Sequence, residues 1–202
     1  MEFHHLVQHA RTHSQRRSPE TGRRLAAGQA PTALFITCAD SRVQPTAITG
    51  AEPGTLFELR TAGNVIPRFT PRSATAEMAT VEFAVVELGV SEIIVCGHSH
   101  CGAVRALHGD GPAPRHLPAT LRWLTAHAPP GDALPDTGTP SAGLRVEGQE
   151  HLLAQLRELR AYPFVRDRLA TGALRAHGWF YDIETGEVTA HDDGRFQPLR
   201  ER

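Results

Sequence analysis

The stretch SEIIVCGHSHCGAV, residues 91 to 104, decides how this chain folds. Its first half is a β-branched apolar run of strand length, and its second half turns abruptly polar. It reads as a buried strand that runs out into a loop, with a helix starting near Gly102. A second stretch, LFITCADSRV at 34 to 43, has the same form: an apolar run after Pro31 that ends in the polar ADSR. Between them, TLFELR (55–60) follows Pro53 and Gly54 and reads as another strand. From Ala74 to Leu88 the apolar residues Met78, Val81, Val85 and Leu88 recur at helical spacing. Ser73 is the expected N-cap, Glu77 lies in the first turn and Gly89 is the expected stop. Strand, helix and strand in this order predict a parallel sheet with right-handed crossovers. Ligands of such sheets bind beyond the carboxyl ends of the strands. Cys38 ends the first strand, and His98 and Cys101 follow the third. The topology therefore predicts that residues sixty positions apart converge.

The remaining sequence fills out an α/β fold: a central, mostly parallel β-sheet flanked by helices, with N-terminal helices and a C-terminal β-hairpin. Residues 3 to 28 are polar with scattered apolar positions and read as one or two helices. Residues 108 to 145 are rich in Pro and Gly and read as a loop-rich insertion, with LRWLTAH (121–127) a helix within it. EGQEHLLAQLREL (147–159) and PFVRDRLATG (163–172) read as helices, the second with Pro163 in its first turn and Gly172 as stop. ALRAHGWFYDIETGEVTAH (173–191) reads as a hairpin turning at Thr185 and Gly186. The 202 residues suit a single domain, with 1–28 as its helical arm.

Composition narrows the function. A net charge of -1 gives no general attraction to nucleic acid or to an anionic membrane. No apolar run is long enough to span a bilayer, and MEFHHLVQHARTH lacks the apolar core of a signal peptide. Three cysteines are too few for a disulfide framework, so Cys38, Cys96 and Cys101 read as reduced thiols of a cytoplasmic protein. His4 and His5 read as a solvated helix face.

Two thiolates and one imidazole form a Cys₂His set, the donor type of zinc. Structural zinc sites close with four protein ligands, whereas catalytic sites keep three and leave one position open. Cys96 lies inside the apolar strand and reads as core. His100 reads as a bystander between two ligands. Gly97 and Gly102 are expected to let the backbone turn around the metal. Either motif alone is a weak signal; at two strand ends of one sheet they reinforce each other.

CADSRV, AGNVIP (62–67), SEIIVCGHSHCGAV and the late AYPFVRDRL…HGWFYDIETGEV together resemble the β-class carbonic anhydrases, from about residue 25 to 190. The resemblance implies a zinc lyase, carbonate dehydratase, that interconverts CO₂ and bicarbonate through zinc-bound hydroxide. It implies one Zn²⁺ on Cys38, His98 and Cys101, and a catalytic dyad of Asp40 and Arg42. In that dyad Asp40 accepts from the zinc-bound hydroxide, and Arg42 keeps Asp40 ionised and oriented. One subtype of the family lets the aspartate close the site, with bicarbonate beside a tryptophan where this chain has Phe35. Arg60 matches an arginine of that subtype that also occurs more widely. The expectation here is the open, plant-like arrangement. Gln29, Phe57, Ala62, Phe83 and Gly102 match substrate-pocket positions, Gly102 through its backbone N–H. Family practice implies a homodimer or higher homo-oligomer, with Gln29 and the aromatics supplied by the partner. The same scaffold also suits a carbonyl sulfide or carbon disulfide hydrolase, or a non-catalytic bicarbonate-binding module. None of the twelve histidines stands out as a proton shuttle.

Overall fold

A computed structural model describes residues 2–108, 116–128 and 140–199. It divides into two compact units, residues 1–30 and 31–202. The first unit holds helix α1 (Phe3–Arg11), a 3₁₀ turn (His13–Arg16) and helix α2 (Pro19–Ala26). Ser18 caps α2 by accepting from the Thr21 N–H at 3.1 Å, and Pro19 takes the first helical position. Neither helix buries a residue, and Phe3 and Leu6 stand exposed. His4 and His5 are also exposed, as expected of a solvated face.

The second unit is built on a six-stranded sheet in the order β2-β1-β3-β4-β5-β6. Its strands are β1 (Ala33–Cys38), β2 (Leu56–Thr61), β3 (Glu92–His98), β4 (Arg175–Tyr181), β5 (Val188–Asp192) and β6 (Arg195–Pro198). The first four are parallel, and β4-β5-β6 are antiparallel. β1 is buried along its whole length and β3 along all but its first residue, which explains their unbroken apolar sequences. The chain leaves β1 for β2 on one side, then crosses back to place β3 on the other. That reversal is the switch point at which a crevice opens beyond the strand ends.

The short helix α3 (Pro45–Thr49) joins β1 to β2. Between β2 and β3 lies α4 (Ala76–Glu82), which continues as a π turn over Phe83–Glu87. Its cap is Thr75, whose hydroxyl accepts from the Met78 N–H, and not Ser73 as expected. Ser73 instead lends its carbonyl to the Thr70 hydroxyl. Gly89, at φ 64°, ends the element as expected. After β3 come α5 (Gly102–His108), α6 (Pro118–His127), α7 (Arg145–Arg160) and α8 (Pro163–Ala170). The expected insertion at 108–145 lies partly outside the described residues; α6 is its helical part.

Alternate residues of the central strands face two apolar clusters. Leu34, Ile36, Ile93 and Val95 pack with Met78, Val81, Leu152, Leu156 and Leu159 from α4 and α7. Ala33, Phe35, Ile94 and Cys96 form the opposite cluster with Leu56, Trp179 and Tyr181. Fully burying one such aliphatic side chain stabilises by about 1.5–3 kcal/mol. Helix α7 lies close to the sheet because Gly97, Gly148 and Gly178 line the contact. A Cβ on Gly148 would stand 2.9 Å from the Phe180 ring. The hairpin expected at 173–191 is present as β4-β5. The edge strand β6 was not expected.

Candidate metal centre

Cys38 and His98 are the last residues of two adjacent parallel strands, so their side chains meet at the switch point. Cys101 arrives through a tight turn in which His100 adopts φ 58°, held by its N–H donating to Gly143 O at 2.6 Å. The ligand atoms of Cys38, His98 and Cys101 all lie within 4.8 Å of one another, and all three residues are buried. The two sulfurs are 4.0 Å apart. Two sulfurs bound tetrahedrally at about 2.3 Å would stand roughly 3.8 Å apart, so the spacing fits a zinc-sized ion. His98 Nδ1 is bonded to Ser99 O at 2.8 Å, which leaves Nε2 to the site. That Nε2 is buried and has no hydrogen-bond partner. A buried imidazole nitrogen without a partner is costly unless something else fills the position. The donor set and geometry therefore suit a divalent cation.

The two thiols are shifted in opposite directions. Cys38 is held below its ordinary value, first by its hydrogen bond with Cys101, against burial, with His98 and the backbone at Asp40 and Gly63 assisting. Cys101 is pushed up, by that same bond and by burial. Cys96 is different: burial raises it to about 12, and it sits in the apolar cluster outside the ligand group. The Nε2 of His100 meets Glu184 Oε1 at 3.1 Å and is likewise outside the group.

Beside this group, Arg42 grips Asp40 with a two-pronged ion pair: Nε to Oδ1 at 2.9 Å and Nη2 to Oδ2 at 2.7 Å. The Arg42 backbone N–H adds a third bond to Oδ1 at 3.0 Å. These bonds hold the Asp40 carboxyl well below the usual carboxylate range, so it stays ionised. Arg42 Nη2 also reaches His100 O at 3.1 Å, tying the loop after β1 to the loop after β3. Arg60, from β2, donates to three carbonyls of the first loop: Cys38 at 3.1 Å, Asp40 at 2.9 Å and Val43 at 2.8 Å. It holds the loop that carries both Cys38 and Asp40.

A family model described as carbonic anhydrase matches residues 33–188. The chain belongs to the β-class carbonic anhydrases. It is 43% identical to the carbonic anhydrase of Pseudomonas aeruginosa over 186 residues, 88% of this chain and 81% of that one. It is 42% identical to that of Synechocystis over 171 residues, and spans 62% of that protein's length. Among solved structures, the β-carbonic anhydrase CcaA superposes with a TM-score of 0.83 at 38% identity, covering 97% of this chain and 90% of that one. A structure of two tetrameric β-carbonic anhydrases from Sordaria macrospora matches with a TM-score of 0.69 at 29% identity, covering 96% and 94%.

One chain brings together Cys38, His98, Cys101, Asp40 and Arg42. Ala62 is exposed one residue before Gly63, whose N–H donates to Cys38 Sγ at 3.4 Å. Gly102 is exposed and opens α5 directly after Cys101. Phe57 and Phe83 lie elsewhere. Their rings meet at 5.9 Å, but Phe57 pairs with Leu34, four residues before Cys38, or about 13 Å along the strand. Gln29 belongs to the first unit and is exposed.

The expectation that Gly97 and Gly102 turn the backbone is corrected. Neither has positive φ; Gly97 instead admits α7, its missing Cβ lying 3.2 Å from that of Leu152. The turning residues are His100 and Gly63, the latter at φ 75°. Sequence reasoning also missed His151, buried on α7, whose Nε2 meets Gly63 O at 2.7 Å. It missed Ser99 too, whose buried Oγ accepts the Ile183 N–H at 2.9 Å.

Proposed function

We propose that this chain binds one Zn²⁺ through Cys38, His98 and Cys101 and reversibly hydrates CO₂ to bicarbonate and a proton. The observation that carries this reading is the unpartnered His98 Nε2 beside two sulfurs 4.0 Å apart, next to an aspartate clamped by an arginine. When bound, Zn²⁺ supplies the Lewis acidity that makes water a nucleophile near neutral pH. Two thiolates and a neutral imidazole balance its charge, so the loaded site carries no net charge to repel bicarbonate.

Asp40 orients the attacking water. Its Oδ1 accepts two bonds from Arg42 and its Oδ2 only one, so Oδ2 keeps a lone pair for the water's O–H. That bond aims a water lone pair at the CO₂ carbon. Arg42 keeps Asp40 charged and stops its carboxylate from swinging onto the metal, which supports the open arrangement. Ala62 and the Gly102 N–H flank the ligands and line the substrate position. Gln29, Phe57 and Phe83 reach that position from a partner subunit. The distance of Phe57 from Cys38 along the strand supports this, as do Phe83 and Val86, which expose 45% and 57% of their surface. The relatives from Sordaria macrospora are tetrameric, in keeping with a homo-oligomer. The three buried free cysteines suit a reducing, cytoplasmic setting. Among the described residues no helix is long and apolar enough to cross a membrane.

Metal analysis with stopped-flow CO₂ hydration tests the reading. The wild type should carry about one zinc per chain and hydrate CO₂, and Asp40→Asn should keep the zinc and lose most of the rate. Cys101→Ser should lose the zinc, whereas Cys96→Ser should keep it. Full zinc occupancy without hydration above background defeats the proposal. A large preference for carbonyl sulfide, assayed in parallel, reassigns the same site to that substrate.

A further inference from the structure

The segment AGNVIP, residues 62 to 67, carries no ligand, yet it is fastened at three points. His151 Nε2 meets Gly63 O at 2.7 Å. Gln155 Oε1 accepts the Ile66 N–H at 2.7 Å. Tyr162 Oη donates to Pro67 O at 2.6 Å. His151 and Gln155 lie one turn apart on α7 and face the core among Leu152, Leu156 and Leu159. Both are buried, His151 at 4% exposure and Gln155 at 0%. Polar side chains are placed there at a desolvation cost, so their bonds need a reason.

The fastened segment supplies that reason. Gly63 N–H donates to Cys38 Sγ at 3.4 Å, while the carbonyl of the same residue takes the His151 bond. A carbonyl only accepts, so His151 carries its proton on Nε2. Burial holds His151 below its ordinary pKa, which keeps the ring neutral. The two bonds belong to neighbouring peptide planes joined at the Gly63 Cα, so the link between them is one of position.

We propose that His151, braced by Gln155, is a positioning residue for the metal centre: it keeps the Gly63 N–H aimed at the Cys38 sulfur and so limits how strongly that sulfur donates to the ion. This rests on reading Cys38 as a metal ligand. An N–H directed at a thiolate withdraws electron density from it. Weaker donation leaves the cation more acidic, which matters in a site with two thiolates.

The test uses Co²⁺ in place of Zn²⁺ in the full chain, because sulfur-to-cobalt charge-transfer absorption reports donor strength directly. His151→Ala should move that band to longer wavelength, as the Cys38 sulfur regains donor strength. His151→Gln, whose amide N–H can reach the same carbonyl, should return it towards wild type. Leu156→Ala, a packing loss on the same helix, should leave the band where it is. In the wild type loaded with ¹¹³Cd²⁺, NMR should show coupling between the metal and the Gly63 amide proton, a measurement that needs no variant to fold. An unmoved band in metal-loaded His151→Ala, or no coupling to the Gly63 amide in the wild type, overturns this inference alone. A wild type that takes up none of these metals overturns the metal-centre reading as well.

Discussion

Gly63 can be tested against a second glycine that shares its backbone but not its surroundings. Gly63 has φ 75° and Gly186, in the β4-β5 turn, has φ 76°. A Cβ on Gly186 meets nothing within 4 Å, whereas one on Gly63 would stand 2.7 Å from the Ala103 Cβ. Ala103 is fixed to the first turn of α5, so its Cβ cannot move aside without moving the helix. Left-handed backbone costs an alanine about 1–2 kcal/mol, and forced overpacking adds about 1–3 kcal/mol. The gain from a less flexible unfolded chain is the same for both glycines and cancels. Gly186→Ala should therefore lose about 1 kcal/mol, and Gly63→Ala about 2–4 kcal/mol. Gly102→Ala, with ordinary φ and open space, should change little. Urea unfolding of metal-free protein, with chelator present, reads the three values without a contribution from metal affinity. Equal losses at Gly63 and Gly186 would refute the claim that the 62–64 turn is packed against α5.

Two other perturbations follow from the same loops. Arg42→Met should let the Asp40 carboxyl rise towards its ordinary value near 4 and cut CO₂ hydration by about 100-fold. Because the paired carboxyl is depressed, the pair stabilises the fold fully above about pH 4, and that contribution fades as pH falls towards the folded value. The wild-type-minus-variant stability gap should thus be flat from pH 5 to 7 and shrink in stronger acid; a gap that widens there contradicts the assignment. Tyr162→Phe removes the donor to the Pro67 carbonyl in a fully buried setting. It should cost about 1–3 kcal/mol in thermal or urea unfolding, and a neutral result would mean that solvent reaches that carbonyl.

Much of this architecture can be read directly from the chain. β1 and β3 are legible because strands buried on both faces must be apolar at every position. Cys38 and His98 are legible as candidate site residues because they stand where those runs stop. Other features follow a different logic. His151 and Gln155 look like solvent-facing residues, although they fall on the same helical stripe as Leu152 and Leu156; that shared stripe was the available signal. β6 is four residues long, half-exposed and ends in a proline, so no apolar alternation announces it. Thr75 replaced Ser73 as the cap because both are good caps two residues apart, and only packing of Met78 and Val81 chooses the helix phase. The π turn at Phe83–Glu87 has no sequence mark at all. Arg60 was visible as a charge on a strand, but the three carbonyls it gathers are made convergent only by the fold.

The two sulfurs of the site are 63 residues apart along the chain. An ion shared between them is therefore a removable crosslink. In the chain-entropy description of disulfides, closing a loop of that length disfavours the unfolded ensemble by about 4 kcal/mol. A protein that keeps its thiols reduced can obtain the same restraint from a cation. The fold can then be tightened or loosened by metal supply, with no change in redox state.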